Sequence, residues 1–186
     1  GIEYLFSKTK GSLSFLILTK EGIYAGRDKA GRTTLVIGKK GNDFAVTSET
    51  CAFPNLGFKP TKELLAGEVM LITKEGLTEK IKGSSKKKIC AFLWIYTGYP
   101  ASSYEGISVE TVRERCGANL AKNDNIKADF VTGVPDSGVA HALGYAAASG
   151  IPYRRPLVKY TAGYGRSYTP PTQKIRDKVA KMKLVS

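Results

Sequence analysis

The chain has 186 residues, 42% of them hydrophobic and 24% charged, which suits one domain or two small ones and excludes a wholly disordered protein. No apolar run approaches the ~18 residues of a membrane span. Gly1 to Lys10 lacks a signal-peptide core, and three cysteines do not make a disulfide framework, so a reducing cytoplasm is the expectation. The net charge of +13 points to an anionic partner: a nucleic acid, a phosphorylated small molecule, or the acidic remainder of a larger assembly.

The first part reads as a β-meander. Leu13 to Thr19 turns through Lys20-Glu21-Gly22 into Ile23 to Ala25. Thr33 to Ile37 follows a turn at Lys29-Ala30-Gly31, and Gly41-Asn42-Asp43 leads into Phe44 to Thr47. Glu68 to Thr73 and Leu77 to Ile81 form another hairpin about Glu75-Gly76. Ser48 to Phe53 is predicted as a short helix capped by Ser48. Lys82 to Lys88 holds only Lys, Gly and Ser, and a domain junction is placed there, giving domains 1–83 and 84–186.

The period then changes. Ile89 to Tyr96 is a continuous apolar run that predicts a buried strand. Ser108 caps a helix with Val109, Val112, Cys116 and Leu120 on one face. Ala128 to Thr132 reads as a strand. A second helix, capped by Asp136 or Ser137, turns Val139, Leu143 and Ala146 inward and ends at Gly150. Ile151 to Val158 is strand-like, with Pro152 and Pro156 favouring an edge. A basic loop and a helix from about Pro171 follow. Strand and helix in alternation predict an α/β class with a parallel sheet after a β-rich first part, an α+β organisation overall.

Two segments can carry chemistry. Thr132-Gly133-Val134-Pro135-Asp136-Ser137-Gly138 joins the end of a strand to the start of a helix, where open α/β sheets bind ligands and helix amides favour phosphate. Ser137 offers a hydroxyl and Asp136 a carboxylate able to orient a metal-bound phosphate; the plain alternative is that both only cap the helix. Lys159 to Tyr168 contains Gly163 and Gly165 as hinges and Lys159 and Arg166 as phosphate partners, Arg in bidentate fashion. It reads as a loop that closes over a charged ligand, as a stacking surface for single-stranded nucleic acid, or as a mobile surface loop. His141 is the only histidine, and packing explains it better than catalysis. Cys51, Cys90 and Cys116 have no metal spacing, and Walker, Rossmann and zinc motifs are absent from the sequence.

These residues resemble the amidophosphoribosyltransferases, the glutamine phosphoribosylpyrophosphate amidotransferases of purine synthesis. Gly11 to Ile17, Arg27-Asp28-Lys29-Ala30-Gly31-Arg32 and Thr47-Ser48-Glu49-Thr50-Cys51-Ala52-Phe53 resemble the later half of their N-terminal-nucleophile (Ntn) glutaminase domain. Cys90 to Tyr96 is similar to the first strand after the domain junction. Gly133 to Ser137 resembles the pyrophosphate loop of a type I phosphoribosyltransferase sheet. Gly165-Arg166-Ser167-Tyr168, Pro171-Thr172-Gln173 and Val179 to Leu184 resemble the flexible loop and the helix after it.

The resemblance implies an enzyme that passes ammonia from glutamine to phosphoribosylpyrophosphate. Pro135, Asp136, Ser137 and Gly138 would cradle pyrophosphate, Ser137 would help hold magnesium, and Lys159, Gly165 and Arg166 would belong to the closing loop. It implies a cytoplasmic homo-oligomer regulated by purine nucleotides, with no membrane and no nucleic acid. Cys90 matches an iron–sulfur ligand of one subgroup, but its partner ligands are not visible, and a cluster in this chain is not expected. The family nucleophile is an N-terminal cysteine where this chain begins with Gly1, and the acidic phosphoribosyl loop would lie beyond Ser186. No catalytic residue is therefore assigned in this chain, and the chain alone is expected to be inactive. It departs from the family at Gly98-Tyr99-Pro100-Ala101-Ser102 and at Tyr160 to Tyr164. Those departures leave open a non-catalytic nucleotide-binding paralogue, and the charge leaves open a nucleic-acid-binding module.

Overall fold

The structure is a computed structural model that describes residues 1–160 and 166–185. Two compact units divide it, Gly1–Val109 and Glu110–Ser186.

The first unit begins with a helix, α1 (Ile2–Lys8), which the sequence reading did not include. Strands β1 (Ser14–Leu18), β2 (Ile23–Arg27), β3 (Val36–Lys40) and β4 (Asp43–Thr47) follow. Next come α2 (Ala52–Leu56), β5 (Lys59–Glu63), β6 (Val69–Ile72) and β7 (Leu77–Ile81). They pair antiparallel into one sheet of order β1-β2-β6-β7 and another of order β4-β3-β5. The hairpins turn where glycine was placed: Gly22, Gly41 and Gly76 all have positive φ, a region other residues adopt at a cost. Ala25, Met70 and Ile72 of the first sheet meet Ile37 of the second, with Leu35 and Leu64, in one core flanked by Phe44, Val46 and Leu77. β1 is an edge strand whose Leu16 and Leu18 stay exposed.

Three expectations here are corrected. The short helix starts later, at Ala52 after Cys51, because Thr47 rather than Ser48 takes the turn: its hydroxyl accepts from the Glu49 amide at 3.0 Å. β5 was not expected, since Lys59-Pro60-Thr61-Lys62-Glu63 has no apolar alternation; it is an edge strand, where Pro60 is tolerated. Ile89 to Tyr96 is not a strand. It leads into a single π-helical turn, Leu93–Thr97, which leaves Phe92, Ile95 and Tyr96 exposed. The turn is fixed by Trp94, whose indole donates to the Ile107 carbonyl at 3.1 Å and stands edge-on to Tyr104. An apolar run alone does not separate a strand from a helical turn.

The hairpin β8 (Ser103–Tyr104) and β9 (Ile107–Ser108) closes this unit, turning on Glu105 (φ 51°) and Gly106 (φ 73°). The division between units thus falls later than residue 83. Ser84 bridges to Ala66, the Lys88 amide donates to the Ala30 carbonyl, and Glu105 pairs with Arg27, so residues 84–109 pack with the first unit.

The second unit holds α3 (Val109–Lys122), α4 (Val139–Ser149), β10 (Val158–Lys159), α5 (Gln173–Lys183) and β11 (Leu184–Val185). α4 ends at Gly150 in the left-handed conformation, as read from the sequence. The packed face of α3 departs from the predicted stripe after Val109: Val109, Arg113 and Gly117 are buried, while Leu120 is 62% exposed. Glycine decides this. A Cβ on Gly117 would collide with the His141 carbonyl, and one on Gly144 with the Glu114 carbonyl, so α3 and α4 approach through their glycines. On α4 the buried residues are accordingly Ala140, Ala142, Gly144 and Ala146, and Leu143 is exposed. Among the described residues the expected parallel strands 128–132 and 151–158 appear as a single parallel bridge, Val131 to Tyr153, with amide bonds of 2.9 Å on either side. β10 pairs antiparallel with β11.

Candidate functional site

The bridge at Val131 delivers the chain into the loop that the sequence singled out. Thr132 opens it with a buried hydroxyl that has no hydrogen-bond partner. Gly133 and Gly138 let the loop fold back on itself. A Cβ on Gly133 would strike the Gly138 carbonyl, and one on Gly138 would crowd the Val134 backbone. The Gly138 amide donates to the Val134 carbonyl at 3.0 Å and the Val139 amide to the Asp136 carbonyl at 3.3 Å. Pro135 has no amide hydrogen, and the amides of Asp136 and Ser137 follow it in the loop. Their side chains do not cap the helix: Gly138 occupies the N-cap, with no side-chain cap bond. The capping alternative is thus not what the side chains do. Ser137 is half-buried, and Asp136 turns elsewhere.

Asp136 turns to Lys159. The ammonium and the carboxylate are 2.7 Å apart, an ion pair between residues 23 positions apart in sequence. Lys159 sits on β10, and the following Tyr160 amide donates to the Lys183 carbonyl at 2.8 Å. The structure therefore brings together two of the residues read as phosphate partners. Arg166 is exposed, donates to the Tyr168 hydroxyl at 2.6 Å and lies over that ring. Gly165 lies outside the described residues. Cys51, Cys90 and Cys116 are free thiols, with Cys90 exposed. Among the described residues no group of three or more His, Cys, Asp or Glu side chains is placed to hold a metal.

No family model matches the chain. Known proteins do. The chain is 38% identical to the amidophosphoribosyltransferase of Bacillus subtilis (strain 168), over 98% of its own length and 38% of that protein's. It is 40% identical to that of Synechocystis sp., over 94% of its own length and 36% of the relative's. Among solved structures it matches the glutamine phosphoribosylpyrophosphate amidotransferase from B. subtilis complexed with ADP and GMP, with a TM-score of 0.84, 38% identity, and 98% of this chain on 40% of that one. The chain is a close match to part of an amidophosphoribosyltransferase. It spans well under half the length of these relatives, and its mixed α/β fold is that of the matching stretch of their structure.

The chain also contains two buried polar clusters that the sequence reading missed. Arg27 is wholly buried; it donates to the carbonyls of Leu64 (2.6 Å) and Gly31 (2.7 Å) and to the Glu105 carboxylate (2.8 Å). Lys87 also pairs with Glu105, and Glu63 lies 3.8 Å from Arg27. Burial alone would raise the Glu105 pKa, but hydrogen bonds from Lys87 and Arg27 outweigh it and hold it below the usual value. Glu63 goes the other way, raised by burial and then by the neighbouring Glu105 carboxylate. In the second cluster Glu49 accepts from Ser102 (2.5 Å) and Tyr104 (2.7 Å). The sequence did offer one signal: Arg27 and Glu49 both lie in segments that carry the family resemblance. Lys87 gave none, since a Lys-Lys-Lys run reads as solvated surface.

Proposed function

We propose that the chain is a segment of an amidophosphoribosyltransferase, an enzyme that transfers glutamine-derived ammonia to phosphoribosylpyrophosphate in purine synthesis. In this reading residues 1–83 are the later, β-rich part of an Ntn-type glutaminase domain. Residues 84–186 are the start of a type I phosphoribosyltransferase domain, whose first packed hairpin lies against the glutaminase sheets. The whole protein would be a cytoplasmic homo-oligomer. The loop from Pro135 to Gly138 receives the pyrophosphate group, with the Asp136 and Ser137 amides donating and the Lys159 and Arg166 side chains supplying positive charge. The observation that carries this reading is the Lys159–Asp136 contact, which joins the phosphate-type loop to the basic segment.

Magnesium at phosphate sites takes few protein ligands, commonly one or two carboxylates or the hydroxyl of a phosphate-loop Ser or Thr, with phosphate oxygens and waters completing its shell. The Ser137 hydroxyl, without a surrounding acidic cluster, fits that mode, and the ion would neutralise the pyrophosphate group as it departs. Calorimetry with magnesium pyrophosphate tests the site. Ser137→Ala is expected to weaken binding roughly tenfold or more, as for loss of a hydrogen bond to a charged group, and Arg166→Ala to a similar degree. Unchanged affinity in both variants overturns the assignment.

One observation favours a second reading. The B. subtilis relative's structure is complexed with ADP and GMP, which makes purine nucleotides candidate ligands of a non-catalytic protein as well. Saturable nucleotide binding by the whole protein, without consumption of phosphoribosylpyrophosphate, would favour that second reading.

A further inference from the structure

Asp136 is chemically out of place in a site for anions. A loop that offers two backbone amides to phosphate also presents a carboxylate, 62% exposed, at its tip. That carboxylate occupies the Lys159 ammonium at 2.7 Å. A bare pyrophosphate arriving here must draw Lys159 away from Asp136. It then lies beside a carboxylate that has lost its counterion. Both steps oppose binding. A pyrophosphate that carries a divalent cation meets a different situation. Lys159 exchanges one anion for another, and the released carboxylate faces the cation and its water shell instead of bare phosphate oxygens.

We propose that the Lys159–Asp136 pair is a charge gate that makes this loop select metal-bound over metal-free pyrophosphate groups. The inference rests on the reading of the loop as a pyrophosphate site. It assigns Asp136 a role separate from the donors of that loop: Ser137 and the amides bind, while Asp136 discriminates. The gate is modest in size because the pair is partly exposed. Exposed pairs contribute little, and charges about 4 Å apart in a watery setting repel weakly, so the discrimination from this residue is roughly three- to tenfold.

The test is calorimetry on the whole protein with pyrophosphate, once with magnesium and once with a chelator. Wild type, Asp136→Asn and Lys159→Gln are compared, with thermal melts to verify that each folds. Asp136→Asn keeps the shape of the side chain and removes its charge. It is expected to tighten metal-free pyrophosphate roughly three- to tenfold and to change the magnesium complex by less than about twofold. Lys159→Gln is expected to weaken both forms, and in that background Asp136→Asn is expected to recover less metal-free affinity than in wild type. A second readout needs no ligand affinity: mild acylation of the ligand-free protein should label Lys159 faster in Asp136→Asn, since its amine is no longer held. If Asp136→Asn weakens both forms equally, Asp136 is simply a ligand-binding group and the gate is refuted. If wild type binds both forms and the variant matches it, the gate is refuted while the pyrophosphate loop stands. If neither protein binds pyrophosphate in either form, the loop assignment falls and the gate with it.

Discussion

Arg27→Ala is expected to loosen the first unit by about 3 kcal/mol, the low end of the ~3–5 kcal/mol for breaking a buried charge pair. The size follows from what is left behind. The side chain is fully buried and has three hydrogen-bonded partners: the Leu64 carbonyl, the Gly31 carbonyl and Glu105. Without it both carbonyls lose a donor. Glu105 retains Lys87 and has a side-chain exposure of 16%, so its charge is not stranded, which is why the low end applies. A simple melt is a poor assay, because two compact units need not unfold as one transition. Amide hydrogen exchange separates them. The Leu64 amide, bonded to the Leu35 carbonyl, reports the first unit; the Gly150 amide, bonded to the Ala146 carbonyl, reports the second. Exchange at Leu64 should accelerate about a hundredfold, with Gly150 unchanged. A change at Leu64 of less than about threefold would mean that Arg27 only fills space, and the cluster would lose its structural role.

The remaining predictions concern the same cluster and the helix pair. Glu105 has a lowered pKa, so its contribution is present above its ordinary value of 4.5 and is lost as pH falls through the folded-state value; Glu105→Gln should flatten that acid loss. Glu63 has a raised pKa, so its contribution is full below 4.5 and is lost as pH rises through the raised value; Glu63→Gln should stabilise the first unit at neutral pH. Denaturant midpoints taken from ~pH 3 to ~7 check both signs, and equal slopes in wild type and variants would contradict them. Gly144→Ala places a methyl group against the Glu114 backbone and is expected to cost the second unit about 1–3 kcal/mol by overpacking, read as faster exchange at Gly150.

The parts of the fold that were legible in the sequence are those governed by local chemistry. Gly22, Gly41 and Gly76 mark hairpins because their turns need positive φ, and Gly150 ends α4 for the same reason. The parts that were not legible depend on partners distant in sequence. β5 is polar and carries Pro60, and it is a strand only because β3 offers an edge to it. Leu120 completes an apolar stripe on α3, yet packing follows Gly117, because closeness of two helix backbones outweighs a stripe that has nothing to bury against. In the candidate site the loop was legible from Gly133 to Gly138. The pairing of Asp136 with Lys159 was not, since nothing local ties a carboxylate at one loop to an ammonium 23 residues later.

Charge is distributed between the units in a way that bears on the partner. In the first unit three cations are held in ion pairs: Arg27 with Glu105 and Glu63, Lys62 with Glu68, Lys87 with Glu105. From Ile151 onward the sequence has Arg154, Arg155, Lys159, Arg166, Lys174, Arg176, Lys178, Lys181 and Lys183 against Asp177 alone. Lys174, Lys178 and Lys181 lie exposed on α5. Such a field raises the local concentration of any polyanion and does not choose among them. Choice must come from the loop, where Asp136 sets a threshold that a metal-free pyrophosphate group does not readily cross. A nucleic acid engaging the α5 lysines would bypass that threshold, bind with a steep salt dependence and ignore Asp136→Asn. A pyrophosphate group engaging Lys159 would show the opposite pattern, so one substitution, read with salt and magnesium varied, separates general attraction from a specific site.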